Sequence, residues 1–287
     1  MKEIVILSGK GGTGKTSICA SFAILAQNIV VVDCDVDAAD LHLVLKPDIM
    51  ETHEFSGGQI ATIDPDKCTA CAICQKLCRY DSIFQDNGKY RVDELACEGC
   101  GVCAHFCPAD AIMMNDSING HWFVSKTRAG TMVHAKLGIA AENSGKLVAL
   151  IKEKAKHIAK EASVQFVIVD GPPGIGCPVI SSLSGADQVV VVTEPSVSGI
   201  HDLERVMELA GHFKVPVSII INKYDINEDK TNEIDNLALT HEIPVLARIP
   251  YDPIFTEAQI AEMSVVEYRE CTATEEIRRA WTQISGQ

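Results

Sequence analysis

Eight of the twelve cysteines stand in two runs of the same spacing: Cys68, Cys71, Cys74 and Cys78, then Cys97, Cys100, Cys103 and Cys107. The second run repeats the first 29 positions later, and the same offset relates Asp81 to Asp110 and Ile83 to Ile112. Self-similarity at a fixed offset marks an internal duplication. Thiolates are soft ligands, so clustered thiols at short intervals point to bound transition metal. A second constellation lies at the N-terminus. Gly9, Lys10, Gly11, Gly12, Thr13, Gly14, Lys15 and Thr16 read G-x-x-x-x-G-K-T directly after an apolar run. Glycines there let the backbone curl around phosphate oxygens, and the N-terminus of the following helix favours the anion. Lys15 is expected to reach the β- and γ-phosphates, and the Thr16 hydroxyl to ligate Mg²⁺.

The cysteine spacing is that of bacterial two-cluster ferredoxins, in which the fourth cysteine of each run serves the other cluster. The expected assignment is therefore crossed. Cys68, Cys71, Cys74 and Cys107 hold one [4Fe–4S] centre, and Cys97, Cys100, Cys103 and Cys78 hold the second. Zinc is the competing reading, but zinc sites usually take two C-x-x-C pairs separated by a longer loop. Arg79 stands where the second run has Pro108. A cation beside one cluster favours its reduced state, which predicts unequal potentials. Of the remaining cysteines, Cys19 and Cys271 read as buried structural residues. His42, His121, His134 and His201 show no ligand-like spacing and read as packing or surface residues. Lys126 and Arg128 read as loop residues.

These residues need a frame. Short apolar runs at 3–8, 29–32, 165–170, 188–193, 216–222 and 244–249 alternate with helical stretches at 15–27, 144–162, 198–212 and 229–240. Continuous Val/Ile strands alternating with helices predict an α/β fold with a mostly parallel sheet covered by helices on both faces, and the Gly9–Thr16 motif makes it a P-loop NTPase by expectation. The alternation stops between about Pro47 and Gly120 and resumes at 121–125. This predicts a discontinuous nucleotide-binding domain, 1–46 with 120–287, interrupted by a small ferredoxin-like α+β insert at 47–119 whose core is about 62–118. The formal charge of −14 argues against a nucleic-acid surface. No apolar run reaches about 18 residues, and the N-terminus enters a strand without a leader pattern, so neither a membrane span nor a secretory signal is expected. Thiols in such a chain suit a reducing cytoplasm. The apolar spacing of Ile277, Trp281 and Ile284 predicts a C-terminal helix packed on the sheet.

The string KGGTGKT, with Lys10 ahead of Lys15, resembles the deviant Walker A of the MinD/ParA family of ATPases. The resemblance covers residues 1–46 and about 120–287, and the whole chain looks like MinD-type ATPases carrying an inserted ferredoxin domain. It implies a homodimer formed on ATP binding, in which Lys10 reaches the partner's phosphates as an arginine finger would. It further implies that Asp35 orients the attacking water, Asp33 supports the Mg²⁺ shell and Asp170 holds a Mg²⁺-bound water. Asn222 and Lys223 would then lie at the adenine, and Pro250 in a base-flanking loop. Asp37 and Asp40 read as capping or surface acids. Cys177 follows the Asp170–Gly174 segment, where related cluster carriers use interface cysteines, although an inert thiol is the simpler reading. The expected function is Mg²⁺-dependent ATP hydrolysis coupled to electron transfer or to a redox-dependent protein partner. The alternatives are an assembly ATPase delivering clusters or metal, and a positioning ATPase with structural clusters.

Overall fold

The computed structural model describes residues 1–138 and 144–286. In chain order its strands are β1 (Lys2–Ser8), β2 (Ile29–Asp33), β3 (Asp48–Ile63), β4 (Ile83–Asp86), β5 (Lys89–Val92), β6 (Ile112–Lys126), β7 (Gly130–Leu137), β8 (Phe166–Pro173), β9 (Gln188–Thr193), β10 (Val217–Asn222) and β11 (Val245–Ile249). The chain divides into two compact units. The first comprises Met1–His53, Trp122–Lys136 and Ser144–Gln287, and the second Glu54–His121 with the described residues 137–138.

In the first unit the sheet order is β11-β10-β9-β1-β8-β2-β7, completed by the first-unit ends of β6 and β3. The seven strands from β11 to β7 are parallel. Helices on both faces explain why these strands are continuous apolar runs instead of alternating ones. Ile4 and Ile6 of β1 join one core cluster with Ile18, Phe22, Val31, Met132, Ile168 and Trp281. Val5 and Leu7, pointing the other way, are equally buried. Trp281 and Ile277 come from the C-terminal helix Thr272–Ser285, whose apolar stripe packs into this core, Trp281 lying against Phe22 and Phe166. Among the described residues no helix is long and apolar enough to cross a membrane. From its carboxyl end β1 connects onward to β2, while its neighbour β8 connects onward to β9 on the opposite side. That reversal opens the crevice in which open α/β sheets bind ligands.

The second unit is built on residues 54–63 of β3 and 112–121 of β6. They run in opposite directions, tied by Gly57 N–H to Asn119 Oδ1 (2.9 Å), Gln59 Nε2 to Asp116 Oδ1 (3.1 Å) and Asp64 N–H to the Ala111 carbonyl (2.8 Å). A β4–β5 hairpin turns at Asn87-Gly88, both at positive φ, the pairing a two-residue hairpin loop requires. Its core is small: Ala61, Cys74, Ile83, Tyr90 and Ile112, ringed by Cys68, Cys78, Cys97, Cys103 and Cys107.

Two strands depart from the sequence expectation. β3 begins at Asp48, inside the stretch read as having left the sheet, and most of its residues are exposed. An edge strand rich in polar residues carries no periodic apolar signal. β7 was equally silent because its run, GTMVHAKL, mixes polar residues with the buried Met132, Val133 and Ala135. The division falls at 53/54, 121/122 and 136/137, where the sequence reading set it at 46/47 and 119/120. The difference arises because residues 48–53 of β3 and 122–126 of β6 belong to the first unit. Arg128, read as a loop residue, grips both Glu267 oxygens at 2.7 Å and the Val44 carbonyl at 2.9 Å.

His134, in β7, is buried and shares a 2.8 Å hydrogen bond between its Nε2 and Ser125 Oγ. Burial, aided by His42, lowers its pKa to about 4. A depressed histidine pKa favours folding above about 6.5 and withdraws that stability as pH falls toward 4. At 1.36 kcal/mol per pKa unit the loss is about 3 kcal/mol. Urea unfolding of wild type and His134→Asn at pH 7.5 and 4.5 is expected to show the gap between them shrinking at the lower pH. An unchanged gap would contradict the assignment.

Candidate functional site

β1 runs into the phosphate-type loop, and the helix Lys15–Ala26 starts at Gly14 with no side chain capping it. Its first N–H groups are therefore open to an anion. Gly14 sits at φ 89°, and a Cβ there would come within 2.5 Å of Asn222 Nδ2, so this position requires glycine on both counts. Asn222, at the end of β10, donates from Nδ2 to the Thr13 carbonyl at 2.7 Å, and its Oδ1 accepts from Lys223 N–H at 3.0 Å. The amide assigned to the base from sequence is thus engaged in holding the loop.

Sheet register aligns Asp33 of β2 directly with Asp170 of β8. Both are buried, and Lys15 Nζ reaches Asp170 Oδ1 at 2.6 Å. Burial opposes the Lys15 charge, yet Asp170, Asp33 and Asp35 outweigh it and hold its pKa above the ordinary value. Asp33 is pushed well above the usual carboxylate range, first by burial and then by Asp170. Asp35, half-buried, is raised for the same reason. Three carboxylates thus face one lysine. Asp33 Oδ2, Asp170 Oδ2 and Thr13 Oγ1 are buried without a hydrogen-bond partner, a cost of about 1–3 kcal/mol each that a ligand would remove. The Thr16 hydroxyl and these carboxylates are hard oxygen donors, the kind a divalent cation takes.

A cleft of about 630 Å³ opens above, lined by Gly11, Gly12, Lys15, Thr16, Asp35 and Asn222 on the loop side, with Lys223, Tyr251 and Phe255 opposite. Asp37 and Asp40, read as capping or surface acids, also line it. Gly9, Lys10, Asp33, Asp170 and Pro250 do not. Pro250 lies at the end of β11, leaving Tyr251, Asp252 and Pro253 as the wall. Lys10 turns away: its Nζ pairs with Glu194 Oε1 at 2.7 Å and donates to Ser196 Oγ (3.1 Å) and Ser198 Oγ (3.0 Å). Glu194 also holds Lys223 Nζ at 2.9 Å, and Lys223 donates to the Gly12 carbonyl at 3.0 Å. Although burial pushes the other way, the two lysines keep the Glu194 carboxyl below its usual range. Glu194, Ser196 and Ser198 escaped the sequence reading because nothing local marks a residue whose partner lies so far back in the chain.

In the second unit the eight duplicated thiols line two separate cavities. Cys68, Cys71, Cys74 and Cys107 line one, with Ile63, Tyr90 and Ile112. Cys78, Cys97, Cys100 and Cys103 line the other, with Ala61, Ser82 and Met114. Each triplet threads the same backbone path. Ala70 and Ala72 lie at φ 56° and 65°, and their duplicates Gly99 and Gly101 at 64° and 74°. Left-handed alanines cost roughly 1–2 kcal/mol each. Gly99 has no such freedom to become alanine, since a Cβ would meet the Gln59 carbonyl at 2.0 Å. All twelve cysteines are free thiols. Among the described residues no three potential ligands converge closely enough for a single metal ion. Burial tends to raise the Cys78 pKa, but hydrogen bonds from Ser82 and Tyr80 hold it below the ordinary value. Cys19 and Cys34, fully buried, are pushed well up by burial and read as inert. Cys177 is exposed at the start of the helix Cys177–Leu183.

Residues 4–265 match the CobQ/CobB/MinD/ParA nucleotide-binding domain. The chain is 33% identical over 253 residues to the uncharacterized protein MJ0578 of Methanocaldococcus jannaschii, covering 87% of this chain and 84% of that one. It is 23% identical over 262 residues to the septum site-determining protein MinD of Bacillus subtilis, covering 88% and 76%. Its fold is similar to that of Pyrococcus horikoshii MinD, solved with Mg-ADP (TM-score 0.62, 18% identity, 99% of this chain and 95% of that one). It is also similar to Aquifex aeolicus MinD in a MinC:MinD complex (TM-score 0.60, 17% identity, 100% and 97%).

Proposed function

The chain belongs to the CobQ/CobB/MinD/ParA nucleotide-binding family, and from that premise we propose that this P-loop ATPase works as an Mg-ATP-dependent dimer carrying two [4Fe–4S] clusters, with nucleotide state coupled to electron transfer or to a redox-dependent partner. The single observation behind the cluster half is the grouping of thiols. Two cavities each present four cysteines, three from one run and the fourth from the other. That is the ligand set of a two-cluster ferredoxin. A small core ringed by cysteines also needs a staple beyond its apolar contacts. When bound, the clusters would supply one-electron redox chemistry.

For the nucleotide half, Lys15 is placed to transfer its charge from Asp170 to phosphate. Thr16 would then ligate Mg²⁺, with Asp33 supporting its shell and Asp170 holding a Mg²⁺-bound water. Asp35 lines the cleft where a carboxylate would orient the attacking water. Lys10 is engaged by its own chain's Glu194, so its service to a partner's phosphates requires leaving that contact. Four thiols per cavity make closed sets, which favours retention of the clusters over their delivery.

Coupling is the part most open to test. β3, which leads into the second unit, follows the Asp35 segment by way of the helix Leu41–Leu45. Anaerobic reconstitution is expected to give about eight iron atoms per chain. A redox titration with Mg²⁺ and a non-hydrolysable ATP analogue should then move at least one midpoint by up to about 59 mV, a tenfold change for one electron, within the usual range of linked sites. Superimposable titrations would eliminate the coupling, and iron-free protein would eliminate the clusters.

A further inference from the structure

The duplication invites a position-by-position comparison of the two cavities. Across the offset, Cys78 answers to Cys107 and Ser82 to Ala111. Around Cys107 the backbone N–H of Ala111 lies 3.3 Å from the sulfur, and no hydroxyl is available at that position. Around Cys78 the Ser82 hydroxyl lies 3.2 Å from the sulfur. Ser82 is 2% exposed and lines the second cavity, so its hydroxyl is shielded from bulk solvent. Arg79, the residue whose charge suggested unequal potentials, is exposed and does not line that cavity. Glu98 lines it but is exposed, so solvent screens its charge.

We propose that Ser82 sets the two halves apart: by donating its hydroxyl to Cys78 Sγ, it makes the cluster site of Cys78, Cys97, Cys100 and Cys103 the more readily reduced of the two. This rests on the cluster reading above. An iron-bound thiolate carries no proton, so the hydroxyl must be the donor. A hydrogen bond to sulfur stabilises added negative charge, and hydrogen bonds to sulfurs are among the determinants of cluster potential. Reduction takes one electron from a one-electron donor (dithionite in the test), the donor is oxidised by one electron, and no proton is transferred. Ser82 acts through Cys78 and is a positioning residue. It belongs to the first run in sequence yet tunes the site built mainly by the second.

The test is an anaerobic redox titration followed by EPR on wild type, Ser82→Ala and Ala111→Ser, with iron counted in each. Wild type is expected to titrate in two one-electron steps. Ser82→Ala should keep about eight iron atoms per chain and lower the reduced-to-oxidised ratio of the upper step by three- to tenfold at fixed potential, tenfold being 59 mV. The lower step should stay in place. Ala111→Ser should raise the lower step in the same proportion. ENDOR in D₂O should show an exchangeable deuteron at the upper-step cluster that Ser82→Ala removes. The proposal is overturned if iron-replete Ser82→Ala titrates as wild type, or if its lower step moves instead. If Ser82→Ala fails to fold, an unmoved lower step in Ala111→Ser overturns it. Wild-type protein without iron would overturn the cluster reading, and this proposal with it, a result separable from the others by the iron count alone.

Discussion

Lys15→Ala is expected to abolish measurable ATP binding and to reduce turnover by at least about a hundredfold, the usual loss when a buried charge-stabilising donor is removed. The geometry makes the effect larger than the loss of one phosphate contact. Lys15 is the cation that offsets the buried Asp170 at 2.6 Å, beside Asp33. Truncating one partner of a buried ion pair typically costs about 3–5 kcal/mol. The substitution should therefore lower stability in the absence of nucleotide as well, and Lys15→Ala/Asp170→Ala should recover part of that loss. Lys10→Ala provides the contrast. Lys10 lies outside the cleft lining and is partly exposed, so its removal should leave nucleotide affinity within a few-fold of wild type. Turnover should still fall by about a thousandfold, if Lys10 acts as an arginine-finger-like cation in the dimer. Calorimetric titration, urea unfolding and phosphate release measure the three quantities. Wild-type affinity in Lys15→Ala, or full turnover in Lys10→Ala, would remove the corresponding role.

Cys107→Ser is expected to halve the iron content while sparing the cluster of its sequence neighbours. Its thiol lines the cavity of Cys68, Cys71 and Cys74, so the spectrum lost should match the one lost in Cys71→Ser. Cys78→Ser should instead match Cys100→Ser, because Cys78 lines the other cavity. The small core should also loosen, since Cys107 and Cys78 both pack against its five buried side chains. Iron analysis with EPR on the four variants decides it. If Cys107→Ser and Cys100→Ser lose the same signal, the crossed arrangement is wrong.

What the sequence by itself determined were features written in local spacing. The parallel strands were legible because strands buried on both faces are continuous apolar runs, as in residues 3–8 and 188–193. The loop from Gly9 to Thr16 and the duplication of the cysteines were legible because both are patterns of residue type at fixed intervals. Tertiary structure decided whatever depends on distance in the chain. Asp33 and Asp170 became neighbours through sheet register, and only their joint burial raises Asp33 so far. Glu194 was invisible because an acid after a strand says nothing until folding brings Lys10 and Lys223 to it. β3 was missed because an exposed edge strand is held by backbone hydrogen bonds, which carry no side-chain signature. Ser82 shows the division most sharply. Its offset from Ala111 is plain in the sequence, but only the fold shields its hydroxyl from bulk solvent and sets it 3.2 Å from a sulfur.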